Sequence, residues 1–259
     1  MKYIKIYGAP RSGTNHLKYV LENNFKNIKV FMDVMGMRTW PYRENVDWTG
    51  RDWTVRRKKA ERTATINKLL DLVDDNLVKA NKEKKIFYAI TTRHPCASYL
   101  SRLRKRFNGE ELNNALKQTV GVFWYTLYWN SVHWNWVEQF MYDPIRHDRS
   151  IFIKHENLVK NFYVTMDMIK NAFGLERNLD EYVNTFLKLH PSGSDYDLKP
   201  LTEKNNYDPN YDDKGFYMRK FSQEVINEFK RYLNDELMDI LDYNLEYLDP
   251  RFVSPEDLP

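Results

Sequence analysis

The chain holds one cysteine, Cys96, in 259 residues. That excludes an internal disulfide and a cysteine-rich zinc site, and it leads us to expect a reducing, cytoplasmic setting. No stretch reaches the roughly 18 consecutive apolar residues of a membrane helix. The opening, MKYIKIYGAPRSGT, lacks the long apolar segment of a signal peptide. It alternates as a strand does, with Tyr3, Lys5 and Tyr7 against Ile4 and Ile6. Neither sign of charge dominates: 40 Lys and Arg stand against 36 Asp and Glu, a net +4. So small an excess is no nucleic-acid signature. What the chain has in quantity is apolar surface, 42% hydrophobic and 15% aromatic. That suffices for a sizeable core and argues against global disorder. With no linker, internal repeat or low-complexity tract, residues 1–259 are expected to form a single domain.

Strand patterns fall at Lys2–Tyr7, Ile28–Met32, Lys85–Thr92 and Ser150–Lys154. Helical patterns fall at His16–Phe25, Val55–Lys82, Pro95–Phe107, Gln118–Met141, Asn157–Gly174 and Phe221–Leu241. Pro95 suits a first helical turn, Gly174 a C-cap and Ser222 an N-cap. The polar segment Leu189–Gly215 reads as a loop, as does the Trp-bearing stretch after Ile28–Met32. Strands alternating with helices predict an α/β fold of three layers, a mainly parallel sheet flanked by helices. The aromatic run Phe123–Trp136 reads as core, His133 included.

The segment Gly8-Ala9-Pro10-Arg11-Ser12-Gly13-Thr14-Asn15 joins the first strand to the first helix. Glycines permit close backbone approach, and the helix start supplies N–H groups and a positive dipole end. Arg11, Ser12, Thr14 and Asn15 add donors, so the segment suits a phosphate. The spacing matches G-x-x-x-x-G, but Thr14 and Asn15 replace the Lys and Ser/Thr of a Walker A loop. That speaks against ATP hydrolysis, and no metal is expected.

The string PRSGT after a first strand resembles the 5′-phosphosulfate loop of sulfotransferases that use 3′-phosphoadenosine 5′-phosphosulfate (PAPS). The resemblance extends along the chain. Arg93 at a strand end and Ser101 eight residues on are similar to the family's 3′-phosphate element. Phe152-Ile153-Lys154-His155-Glu156-Asn157-Leu158 resembles its strand ending in a Tyr-Glu-Asp-Leu-like motif. Asp213-Lys214-Gly215-Phe216 resembles its Lys-Gly segment. The resemblance implies a P-loop NTPase-like sulfotransferase fold with PAPS as cofactor. It assigns Arg11, Ser12, Gly13, Thr14 and Asn15 to the 5′-phosphosulfate, and Arg93, Ser101, Lys214 and Gly215 to the 3′-phosphate. His16 and His155 would lie near adenine; His155 is equally well read as a strand-end histidine.

Sulfuryl transfer needs a cation on the leaving phosphate and a base on the acceptor. Arg11 and Arg38 are the candidate cations. In Met37-Arg38-Thr39-Trp40-Pro41, Trp40 stands where one branch of the family has its catalytic His. Asp33, after the second strand, reads first as a turn or cap residue and next as the candidate base; Glu44 is a reserve. The partner is an acceptor bearing a hydroxyl or amine: sugar, peptide tyrosine, lipid or small molecule. Two other readings stay open, a P-loop phosphotransferase or hydrolase and a non-catalytic nucleotide-binding protein of the same fold. The basic clusters Arg56–Lys59 and Arg102–Arg106 read as solvated helix faces rather than nucleic-acid contacts.

Overall fold

The chain is an α/β protein, described by a computed structural model for residues 1–32, 36–37, 40–41, 75–189, 196–200 and 217–243. Its contacts divide it into two compact units. The first comprises Met1–Thr92 and Asn135–Asn205, the second Arg93–Trp134 and Asn206–Pro259. Among the described residues no helix is long and apolar enough to cross a membrane.

The first unit is built on four parallel strands: β1 (Lys2–Gly8), β3 (Ile28–Phe31), β6 (Ile86–Thr92) and β7 (Ser150–Lys154). Their spatial order is β3-β1-β6-β7. The chain steps outward from β1 to β3 and later returns to the other side of β1. Strand order therefore reverses at β1, and the crevice beyond the carboxyl ends of such strands is where α/β sheets bind ligands. Short strands complete the unit: β2 (Phe25–Lys26) pairs with β8 (Glu176–Arg177), and β4 (Gly36–Met37) with β5 (Trp40–Pro41).

Register puts Ile4, Ile6, Val30, Ala89 and Ile153 on one face of the sheet. Helices α1 (Thr14–Asn24), α6 (His155–Lys160) and α7 (Phe162–Phe173) cover it with Leu17, Val20, Leu21, Leu158, Met166, Ile169 and Phe173. Each fully buried aliphatic side chain here contributes about 1.5–3 kcal/mol of transfer free energy. The alternation in β1 does not mark a wet face, because Tyr3, Lys5 and Tyr7 are buried as well. A strand inside a parallel sheet is covered on both sides. The Lys5 ammonium donates to the Met32 carbonyl and lies 4.7 Å from the Tyr7 ring centroid. Phe140 packs at 5.2 Å on Tyr7 and 5.1 Å on Tyr88. It comes from a π-helical turn, Val137–Met141, at the end of α5 (Val120–Trp136). The long aromatic helix expected to Met141 thus widens after Trp136.

Other expectations need correction. Residues 157–174 form two helices, because Asn161 leaves helical geometry at φ −114°, ψ 46°. Gly174 does end the second, left-handed at φ 58°. The segment expected to be a loop from Leu189 carries β10 (Tyr196–Pro200), antiparallel to β9 (Thr185–Leu189). The expected helix from Val55 is described only as α2, Asp75–Lys82; its earlier part lies outside the described residues.

The second unit holds α3 (Pro95–Arg106), α4 (Gly109–Ala115), most of α5, α8 (Gln223–Tyr232) and α9 (Asp235–Ile240). Tyr99 joins Tyr125, Phe221 and Phe229 at centroid separations of 4.9, 5.9 and 5.6 Å. The final helix expected over Phe221–Leu241 breaks at Leu233–Asn234. Ser222 caps α8 through Val225 N–H, and Asn234 caps α9 by accepting from Leu237 N–H at 2.7 Å. Asn130 of α5 bridges the break: its amide donates to Tyr232 O at 2.8 Å and accepts from Asn234 N–H at 3.3 Å. Asn130→Leu leaves both backbone groups without this partner. It should cost about 1–3 kcal/mol, read as a lower urea midpoint with an unchanged m-value.

Candidate functional site

The segment after β1 turns sharply. Ser12 N–H donates to Ala9 O at 3.0 Å, closing a four-residue turn with Pro10 and Arg11 at its centre. Pro10 fixes its own φ, and Arg11 sits at φ 75°, the left-handed region a type II turn demands at its third position. Glycine or asparagine is the usual solution there; an arginine costs roughly 1–2 kcal/mol. Two residues on, Gly13 is left-handed at φ 86° and serves as N-cap of α1. The first intrahelical bond runs from Leu17 N–H to Gly13 O at 2.9 Å. The amides of Thr14, Asn15 and His16 therefore lie ahead of the helical ladder, at the positive end of an 11-residue helix. The helix begins two residues earlier than its apolar pattern showed, straight out of the loop.

Contact with the strands fixes the loop. A Cβ on Gly8 would collide with Thr91 Oγ1, Thr14 Cγ2 and Ser12 Oγ. A Cβ on Gly13 would collide with the His155 ring. The Ser12 hydroxyl, fully buried, hydrogen-bonds Thr91 Oγ1 at 2.8 Å, and Thr91 in turn donates to Tyr7 O at 3.2 Å. Both the hydroxyl and the N–H of Ser12 thus hold the loop shut on β1 and β6. Thr91, which the sequence reading missed, is the other half of that lock. Its only signal was a hydroxyl at the end of a buried strand.

Within the first unit the structure brings together Gly13, His16 and His155. The imidazoles meet edge to face with centroids 6.2 Å apart, and both residues are buried. Burial, and after it the charge of His155, holds His16 down at about 3. Arg11 is exposed on the outer side of the turn.

In the second unit, Arg93 stands just before the His94 N-cap of α3 and Ser101 lies midway along that helix. Arg93 is 7% exposed, Ser101 half-buried. His94 is the N-cap: its Nδ1 accepts from Cys96 N–H at 3.3 Å, with Pro95 in the first turn. Its ring packs against Tyr217 and Tyr243 at 5.1 and 5.6 Å. Burial pushes the Cys96 thiol far above its ordinary value, so it is no nucleophile. His133 stacks on Trp129 at 3.9 Å and bonds Trp129 O at 2.7 Å; burial holds it at about 3. It is a core residue. Asp33, Arg38, Glu44, Lys214 and Gly215 lie outside the described residues.

Comparison of the sequence with protein-family models and with curated proteins finds no match.

Two predictions follow from the loop. Arg11→Gly removes a strained residue, so the melting temperature should hold or rise. Gly13→Ala, colliding with His155, should cost about 1–3 kcal/mol in the same melting assay. A third concerns pH. An unfolded histidine titrates near 6.5 and His16 near 3, so between these values the unfolded chain binds a proton that the fold refuses. The contribution of His16 is complete above about pH 6.5 and is lost as pH falls toward 3. His16→Gln should flatten the decline of melting temperature over that window.

Proposed function

We propose that the protein is a sulfotransferase that passes the sulfuryl group of PAPS to a hydroxyl or amine of its acceptor. The observation that carries this reading is the loop at the reversal point of the sheet. A non-glycine Arg11 is held in left-handed backbone between Pro10 and Gly13, ahead of the amides of α1. Strain of this kind persists where surrounding contacts enforce it and clusters at functional sites. Gly8 and Gly13 have no room for a side chain, which suits a backbone that must approach a phosphate closely. The loop lacks the lysine that would favour a nucleoside triphosphate.

The donor supplies an activated sulfuryl group on its 5′-phosphate. The bond from sulfur to the bridging phosphate oxygen breaks and one from sulfur to the acceptor oxygen or nitrogen forms. Adenosine 3′,5′-bisphosphate departs, and the acceptor proton passes to a base. Arg11 and the amides of Gly13, Thr14 and Asn15 hold the 5′-phosphate and meet the negative charge that grows there. Ser12 keeps the loop in shape through Thr91 rather than reaching outward. His155 and His16 form the buried wall behind Gly13. Arg93 and Ser101 enter as 3′-phosphate ligands on their resemblance and spacing, as do Lys214 and Gly215. Asp33 enters as base and Arg38 as second cation on the same ground. The single, buried Cys96 fits a cytoplasmic enzyme.

The test is a thermal-shift titration with adenosine 3′,5′-bisphosphate, without metal, against ATP with magnesium. The bisphosphate should stabilise by about 2.7 kcal/mol at a hundred times its Kd. Arg93→Lys should weaken the response, since a point charge cannot reproduce the guanidinium fork. Stabilisation by ATP alone would overturn the reading. Asp33→Asn should lower turnover by about 10²–10⁴ while leaving bisphosphate binding intact.

A further inference from the structure

We propose that the second unit carries a docking face for an anionic lipid bilayer, formed by the outward stripe of α5 and the cations around it. Along this helix Val122, Tyr125, Trp129 and Val132 face the core. A second apolar line lies elsewhere on its surface. Val120, Trp124 and Leu127 follow one another at helical spacing and are 71%, 65% and 43% exposed. One isolated apolar residue needs no explanation, but a row of three with a tryptophan at its centre does.

The stripe is continuous with aromatic and basic neighbours. Trp124 meets Phe123 edge to face at 5.1 Å, and Phe123 meets Tyr232 of α8 at 4.9 Å. The Arg231 guanidinium lies 5.3 Å from the Tyr232 ring centroid. Its side chain is 69% exposed and has Glu228 at 3.9 Å as an ion-pair partner. On the other flank, Gly121 lies against the hydroxyl of Tyr99 in α3. Exposed Arg102 is one turn along α3 from Tyr99. Exposed Lys117 stands in the turn that leads into α5. Lys117 therefore stands at the N-terminal end of the apolar line, Arg102 on one side of it and the Arg231–Glu228 pair on the other.

Charge chooses the occupant. A second copy of the chain, docked by the same stripe about a two-fold axis, would set this basic rim against itself. An anionic bilayer presents phosphates to the arginines and lysine and takes the indole at the depth of its headgroups. A convex helix with a protruding tryptophan suits a surface that yields. A protein partner would have to supply a matching groove.

The full chain, sedimented with vesicles of phosphatidylcholine enriched in phosphatidylserine, should pellet with them and stay in solution with phosphatidylcholine alone. Trp124→Ser lies at an exposed position and should keep the wild-type circular dichroism while losing roughly tenfold in vesicle affinity. Arg231→Gln and added salt should each weaken binding. The proposal fails if the protein ignores anionic vesicles, if it binds both vesicle types equally, or if Trp124→Ser binds like wild type. It also fails if the stripe instead mediates a dimer in solution that Trp124→Ser dissociates. None of these outcomes bears on the nucleotide reading, which the thermal-shift titration tests separately.

Discussion

Position 8 has no room for a side chain, and the loop geometry depends on that fact. The last residue of the central strand is where Thr91, Ser12 and Thr14 converge. Because Gly8 has no Cβ, Ser12 can reach Thr91 across the strand end, and their buried hydroxyls can share a hydrogen bond. That bond anchors the turn that Ser12 N–H closes on Ala9 O, the turn holds Arg11 in left-handed backbone, and Gly13 then opens α1. A single methyl group at residue 8 would undo the sequence of contacts from its first member. The core beneath, Ile4 and Ile6 against α1 and α7, supplies the bulk of the stabilisation. It does not by itself dictate where the loop points.

Much of the fold is legible because its signals are local. A buried strand reads as an apolar run, Pro95 announces α3, and Gly174 ends α7 in the conformation that glycine adopts most readily. What escaped depends on partners far away in sequence. The break between α8 and α9 occurs inside an unbroken amphipathic pattern, and besides its own Asn234 cap it draws on Asn130, over a hundred residues earlier. Asn161 interrupts another helical stretch without a proline or glycine to mark it. The hairpin of β9 and β10 sits in a segment whose polar composition reads as loop.

The candidate site shows the same division. The loop's residue types and spacing were plain, and its place at the carboxyl end of the strand followed from the strand itself. The roles of individual side chains were not. Ser12 was read as a ligand donor, yet its hydroxyl faces inward to Thr91. His94 carries no signature of a cap, since capping by imidazole is uncommon, but Nδ1 takes the Cys96 amide. His155 reads equally as an adenine contact or as a strand-end histidine; its buried ring lies directly against Gly13, so the end of β7 and the start of α1 are in contact through it.

Lys2, at the start of the central strand, donates to the carbonyls of Phe173 and Gly174, more than 170 residues away. The first unit is also interrupted in sequence by residues 93–134. Helix α1 follows β1 directly, but the apolar face of that strand is fully covered only once β7, α6 and α7, far later in the chain, have been made. The central strand is thus made well before the elements that secure it. Its edges find β3 and β6 earlier, so what stays exposed in that interval is an apolar face, and exposed apolar surface is where a part-folded chain aggregates.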